Sequence, residues 1–432
     1  MSDRKHIEVH HVTRVEGHGN IVVRAGDGRI EEVQWQVPEA PRFFEAMVRG
    51  RRWDEIQPIV SRICGICSVA HSLAAIKAVE DAMGISVSEQ TDRLRLLAHY
   101  AEQLESHSLH LGYLVAPDLL GVPSVIPLAS SHPEAVRTVI RIHRTANEWM
   151  ELIAGRMTHP VSLVPGGFTL LPSEHRLRRL KQSIQAVMPE LEALSDLVLS
   201  AVDKLPVFER DTEYVALVDP DVYTFYHGQV GSTDIEGTVD IHHFEDVANE
   251  YVCDQSTAKW ARWHRESYAV GALARFNLNA QLLLPGAAET ARRFGLKKGC
   301  CNPYMNNIAQ LVECIQAAEH AIVLIDELLS TGIEPEKPVV EARAGMGVGS
   351  VEAPRGVLFH RYAFDEDGCC VSANNTIPTN QNHANIQKDF EAFVPQIIDR
   401  DQEEVRLLLE MLVRAYDPCI SCSTHHLDVR FV

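Results

Sequence analysis

No apolar run in this sequence approaches the 18 or so consecutive residues that a membrane-spanning helix needs. Basic residues are outnumbered, with 40 lysines and arginines against 59 aspartates and glutamates, for a formal net charge of -19. Nowhere do they gather into the basic stripe of a nucleic-acid surface, and the acidic balance disfavours polyanionic partners. The opening residues, Met1-Ser-Asp-Arg-Lys-His6, start no apolar stretch of the kind a secretory signal requires, so no signal peptide is expected. Cysteine is sparse, at 10 in the chain, which excludes a disulfide-stapled scaffold. Internal repeats, low-complexity tracts and clean linkers are all missing, so the expectation is one intertwined unit over 1–432.

Hydrophobic residues make up 46% and charged residues 23%, enough for a large buried core. The first part, 1–60, reads as β-rich, with Asn20–Arg24 and Ile30–Val37 alternating around the turn Gly26-Asp27-Gly28. A short helix is expected over Pro41–Gly50. The next part, 61–210, reads as helical: Val69–Met83 closed by Gly84, Glu89–Val115 capped by Ser88, Glu134–Arg156 opened by Ser131 and Pro133, and a stretch from Ser173 to Val202 split by Pro189. A mixed part, 211–300, holds loops and short strands over Tyr214–His243 and a helix over Ala258–Gly271. The last part, 301–432, holds a helix over Met305–Leu329, a glycine-rich loop at Gly345–Gly349, a hairpin of Gly356–Phe364 with Cys369–Ile377, and a final helix over Gln387–Tyr416. The fold class expected is α+β, predominantly α: a long-helix bundle with small peripheral sheets.

Two CxxC pairs carry the chemistry, Cys64-Gly-Ile-Cys67 and Cys419-Ile-Ser-Cys422. Two intervening residues let both sulfurs face one ion, and four soft thiolates suit zinc, iron–sulfur, or nickel with iron. A zinc ribbon keeps its pairs roughly 15–20 residues apart, whereas these lie near opposite ends of the chain. So long a loop makes sense only if the domain is built around the metal. The other cysteines include the adjacent pairs Cys300-Cys301 and Cys369-Cys370, a poor geometry for chelation and better read as buried structural thiols. His10-His11 and His242-His243 have no metal-motif spacing.

The segments Arg62-Ile-Cys-Gly-Ile-Cys67 and Asp417-Pro-Cys-Ile-Ser-Cys-Ser-Thr-His425 resemble the paired signatures of nickel–iron hydrogenase large subunits. Thr13-Arg-Val-Glu-Gly-His18, His159-Pro160 with Pro165-Gly-Gly167, Gly271-Ala-Leu-Ala-Arg275 and Ala353-Pro-Arg-Gly356 resemble further family motifs in family order. The resemblance implies reversible heterolytic cleavage of dihydrogen at a nickel–iron centre whose iron carries carbon monoxide and cyanide. It implies that Cys67 and Cys422 bridge both metals and that Cys64 and Cys419 bind nickel alone. Arg355 and Thr379 match positions that hydrogen-bond the cyanides, and Pro354 lines the same pocket. Glu16 matches a proton relay, with Cys419 or Arg355 as first proton acceptor. Glu45 and His425 match ligands of a magnesium or ferrous ion near the C-terminus.

This chain supplies no ligand set for an electron relay. The resemblance therefore implies an iron–sulfur-cluster small subunit and a flavin or diaphorase-type module, as in the soluble cofactor-coupled branch, and with that branch a cytoplasmic location. Some branches carry an aspartate near the site where this chain reads Glu105-Ser-His107, which leaves the partner of Arg355 open. Two rival readings are a metal-free relative of the complex I quinone-site subunit and a structural zinc-binding subunit. The segment 426–432 is short for the cleavable extension often found after the terminal histidine, and the expectation is that it is retained.

Overall fold

The computed structural model describes residues 5–26 and 29–425. Helices Glu89–Leu109, Pro133–Ala154, Glu174–Ser200 and Asn306–Thr331 form the bundle, each packed on two of the others. Helix starts follow side-chain chemistry: the Ser88 and Ser173 hydroxyls accept from Thr91 N and Arg176 N, and Gly84 closes Ser68–Met83 in the left-handed region at φ 64°. One hydrophobic core runs from Ile7 to Cys422, and a smaller cluster surrounds Phe244 and Phe359.

The expected N-terminal hairpin is present as Asn20–Gly26 against Arg29–Gln36, extended by Lys5–Val9 into a three-stranded antiparallel sheet. The hairpin's turn at 27–28 lies outside the described residues, as do the tail 426–432 and the opening residues 1–4. The C-terminal hairpin of Gly356–Phe364 and Cys370–Thr376 forms as expected, with Gly345–Ala353 as its third strand.

That third strand corrects the expected loop at Gly345–Gly349. A Cβ at Gly345, Gly347 or Gly349 would lie 2.4, 2.2 and 2.0 Å from the carbonyl oxygens of Ala82, Ala78 and Ala74. The glycines therefore let a strand backbone lie directly on the alanine stripe of Ser68–Met83. Advancing along the strand moves toward the start of that helix, where Cys67 sits.

Other boundaries move for identifiable reasons. Pro189 does not split Glu174–Ser200, because the proline is exposed while Ile184, Val187, Leu191 and Leu194 continue the buried face. The helix expected over Ala258–Gly271 is strand Ser256–Arg262, which buries Ala258 and Trp260 at strand spacing, then a short strand at Tyr268–Ala269; the helix begins only at Ala272. The final helix is two, Pro378–Ile397 and Gln402–Ala415, because the Asp401 side chain caps a new start through Glu403 N. The helix from Ser88 passes into a π-helical turn over His110–Val115, and Ser131 does not cap the helix that starts at Pro133.

The expectation about apolar runs is also corrected. Pro303–Thr331 is long and apolar enough to cross a membrane by length and composition, yet 78% of its most apolar window is buried within the chain. It turns Gln310, Glu313 and Gln316 into the protein interior, as a central bundle helix does.

Candidate metal centre

The two CxxC segments meet in the interior. Cys64 follows a 3-10 turn and receives Ile66 N and Cys67 N on its sulfur at 3.3 and 3.2 Å. Cys67 is the residue from which Ser68–Met83 starts, and the buried Glu102 carboxyl accepts from that helix's Val69 N and Ala70 N at 2.6 and 2.9 Å. The second segment is held by Ile420 N donating to Glu16 O at 2.9 Å and by Cys419 N donating to Thr379 Oγ1 at 3.1 Å. All four sulfurs then fall within 4.8 Å of one another. Each sulfur of one pair faces one of the other: Cys64 with Cys419 at 3.4 Å and Cys67 with Cys422 at 3.9 Å.

Four thiols so close cannot ionise independently. Hydrogen bonds from Cys419 and Cys422 bring Cys64 well below the usual thiol range. Interaction with Cys422 and Cys64, together with burial, holds Cys419 well above it, and burial does the same to Cys422. For Cys67 the bonds from Cys419 and Cys422 are outweighed by Cys64 and burial, which push it up to about 11. A bound cation would reverse this mutual suppression, since a coordinating thiol is deprotonated outright. Four convergent, buried, soft donors thus fit a transition-metal centre.

Arg355 sits at the Ala353–Gly356 turn and is 3% exposed. Its Nε and Nη2 donate to Asp417 O and Oδ1, both at 2.9 Å, and its Nη1 donates to Ser106 Oγ at 3.0 Å. This resolves the open question of its partner. Burial opposes its charge, but Asp417 and the thiols of Cys419, Cys67 and Cys64 outweigh burial and hold it protonated. Sequence reasoning missed the support behind this turn. Arg275 is wholly buried, pairs with Glu313 through two 2.6 Å bonds, and donates to Ala353 O and Pro354 O at 3.0 and 3.1 Å. Glu313 also meets His107 Nε2 at 2.9 Å, which ties the helix carrying Ser106 to the turn carrying Arg355. Asp417 was in view as part of the second signature, and Arg275 as part of its own motif; their partners were not.

Glu16 reaches the site as expected. Its Oε2 accepts from Cys419 Sγ at 3.2 Å and from Ser421 N at 3.1 Å, and its Oε1 bonds the Ser421 hydroxyl. The residue is half-buried rather than enclosed. Glu45 and His425 also meet: Glu45 Oε1 lies 3.2 Å from His425 Nε2 and accepts from Asn375 N at 2.8 Å, with both residues buried. Of the adjacent cysteine pairs expected to be buried, only Cys370 is; Cys300, Cys301 and Cys369 are half-buried.

The nickel-dependent hydrogenase model matches residues 42–138 and 198–425, a span that includes all four cysteines. The chain belongs to the nickel-dependent hydrogenases. Among curated relatives, the alpha subunit of sulfhydrogenase 1 from Pyrococcus furiosus is 33% identical over 420 residues, covering 97% of each chain. The beta subunit of the NAD-reducing hydrogenase HoxS from Cupriavidus necator is 30% identical over 465 residues, covering 96% of this chain and 94% of that one. A crystal structure of an NAD-reducing nickel–iron hydrogenase in its dihydrogen-reduced state superposes with a TM-score of 0.88 at 29% identity, covering 98% of this chain and 99% of that one. This hydrogenase chain is thus an enzyme subunit, the catalytic large subunit of a nickel–iron hydrogenase, with a cysteine cluster for its metal. Its helix-rich architecture with small sheets is that of the family's large subunits.

Proposed function

We propose that Cys64, Cys67, Cys419 and Cys422 would together hold the nickel–iron centre, Cys67 and Cys422 as the ligands shared by its two metals. The observation that carries this is the convergence of four buried sulfurs from two distant CxxC segments. When bound, the metals supply the Lewis acidity and redox chemistry for heterolytic cleavage of dihydrogen.

The residues around them do the rest. Cys419 Sγ takes the released proton and passes it to Glu16 Oε2, with which it already shares a hydrogen bond. Arg355 is paired with Asp417 and carries its charge already, so it is a poor base; its role is electrostatic, as a fixed donor toward anionic ligands in a dry pocket. Thr379 and Arg355 would donate to the cyanide ligands of a centre that also carries carbon monoxide, and Pro354 would line that wall. Glu45 and His425 would hold a magnesium or ferrous ion; the carboxylate suits either, and the imidazole leans towards iron. Electrons leave through an iron–sulfur small subunit and a flavin or diaphorase-type module to a soluble acceptor, in the cytoplasm.

Metal analysis of the purified complex with infrared spectroscopy tests the reading. Nickel and iron together, with carbon monoxide and cyanide bands, are expected. Zinc alone, or no metal, overturns it.

A further inference from the structure

We infer that Arg42 is the positioning residue that locks the two CxxC segments against each other and so sets how firmly the centre keeps its metal. The inference rests on the reading that the four cysteines are the metal ligands. One guanidinium nitrogen, Arg42 Nη2, donates to Ile63 O at 2.6 Å and also to Ser421 O. Ile63 directly precedes Cys64, and Ser421 lies between Cys419 and Cys422. The backbone of the same residue closes a third contact, Arg42 N to Thr424 O at 2.7 Å, just before His425. No other side-chain nitrogen among the described residues donates to the backbone of both CxxC segments.

The clasp is itself braced. The guanidinium carbon lies 5.3 Å from the Phe44 ring centroid, within cation–π range. Phe44 begins the short helix that carries Glu45, so Arg42 stands where the thiol site and the Glu45–His425 pair adjoin. The physical need is clear. The second CxxC segment is one short turn, Ile420–Ser423, with no side-chain cap at its start. Local helix propensity cannot hold a four-residue turn. Glu16 and Thr379 tie this turn to the N-terminal segment and to helix Pro378–Ile397, but neither ties it to the first CxxC pair. A cation shared by two carbonyls does this, and each such charge-assisted bond is stronger than a neutral one.

The test compares wild type, Arg42→Gln and Arg42→Lys in the holo complex with its partner subunits. Nickel release into excess chelator is timed, thermal midpoints are recorded, and alkylation of Cys64 and Cys422 is compared with that of Cys314, a buried cysteine on helix Asn306–Thr331. Arg42→Gln is expected to release nickel at least about tenfold faster, consistent with losing bonds to a charged donor. Cys64 and Cys422 should gain reactivity while Cys314 does not, and Arg42→Lys should fall between the two. If either variant releases nickel at the wild-type rate, or if Cys314 opens in step with Cys64 and Cys422, the clasp is refuted. A wild-type complex that holds no nickel would instead refute the ligand reading beneath it. If Arg42→Gln fails to accumulate, Arg42→Lys alone decides by the same measures.

Discussion

Replacing Arg355 by lysine isolates what the guanidinium does. Arg355 makes three hydrogen bonds from three nitrogens in one plane: two to Asp417 and one to Ser106. A lysine ammonium keeps the charge and can keep the ion pair with Asp417, but it has no rigid fork to hold the other two. Two buried bonds at about 1–1.5 kcal/mol each come to about 2–3 kcal/mol. If that energy fixes the donor where charge develops, turnover falls by roughly 30- to 150-fold. Folding should survive, because charge and approximate volume are retained and the turn is separately held by Arg275 at Ala353 O and Pro354 O. The assay is dihydrogen oxidation with a dye acceptor, normalised to nickel content, beside a thermal melt. A loss below about twofold at normal metal content would show that Arg355 does not act on the reacting centre.

Three other perturbations are worth making. Cys67→Ser and Cys422→Ser should each abolish nickel retention and activity, since each would remove a ligand shared by two ions; normal nickel with normal turnover sinks the bridging roles. Glu16→Gln keeps shape but cannot carry a proton, so metals should remain while hydrogen–deuterium exchange falls by at least about tenfold; exchange near wild type would place the relay elsewhere. Gly347→Val should destabilise the fold by more than about 3 kcal/mol, because its Cβ would sit 2.2 Å from Ala78 O and 2.3 Å from Ala82 N, both backbone atoms that cannot step aside. A melt within a few degrees of wild type would contradict that packing.

Much of this site was legible in the sequence because its chemistry sits in short, spaced motifs. The two CxxC pairs, Glu16, Arg355 and His425 could be placed by their motifs, Thr379 and Glu45 only through the family resemblance, and the structure gives each a contact at the site. What could not be read were partnerships across long separations. Arg355 with Ser106 spans 249 positions, and nothing in Glu105-Ser-His107 names its mate. Arg42 with Ser421 spans 379. The fold reading failed where the usual meaning of a residue was overridden by packing. Glycines at alternate positions signalled a loop, but a helix backbone pressed against them made them a strand. Pro189 signalled a break, but it faces solvent and the buried stripe runs on beneath it.

The separation of the two thiol pairs has a thermodynamic consequence. Cys64 and Cys419 are 355 positions apart, so a metal held by both bridges nearly the whole fold. The unfolded chain cannot present such a site, and the binding free energy of the ion is therefore added to the folding free energy of everything between. Heat, a lesion anywhere in the helix bundle, or a chelator all act on one shared equilibrium. Damage far from the sulfurs should first be felt as nickel in the solvent.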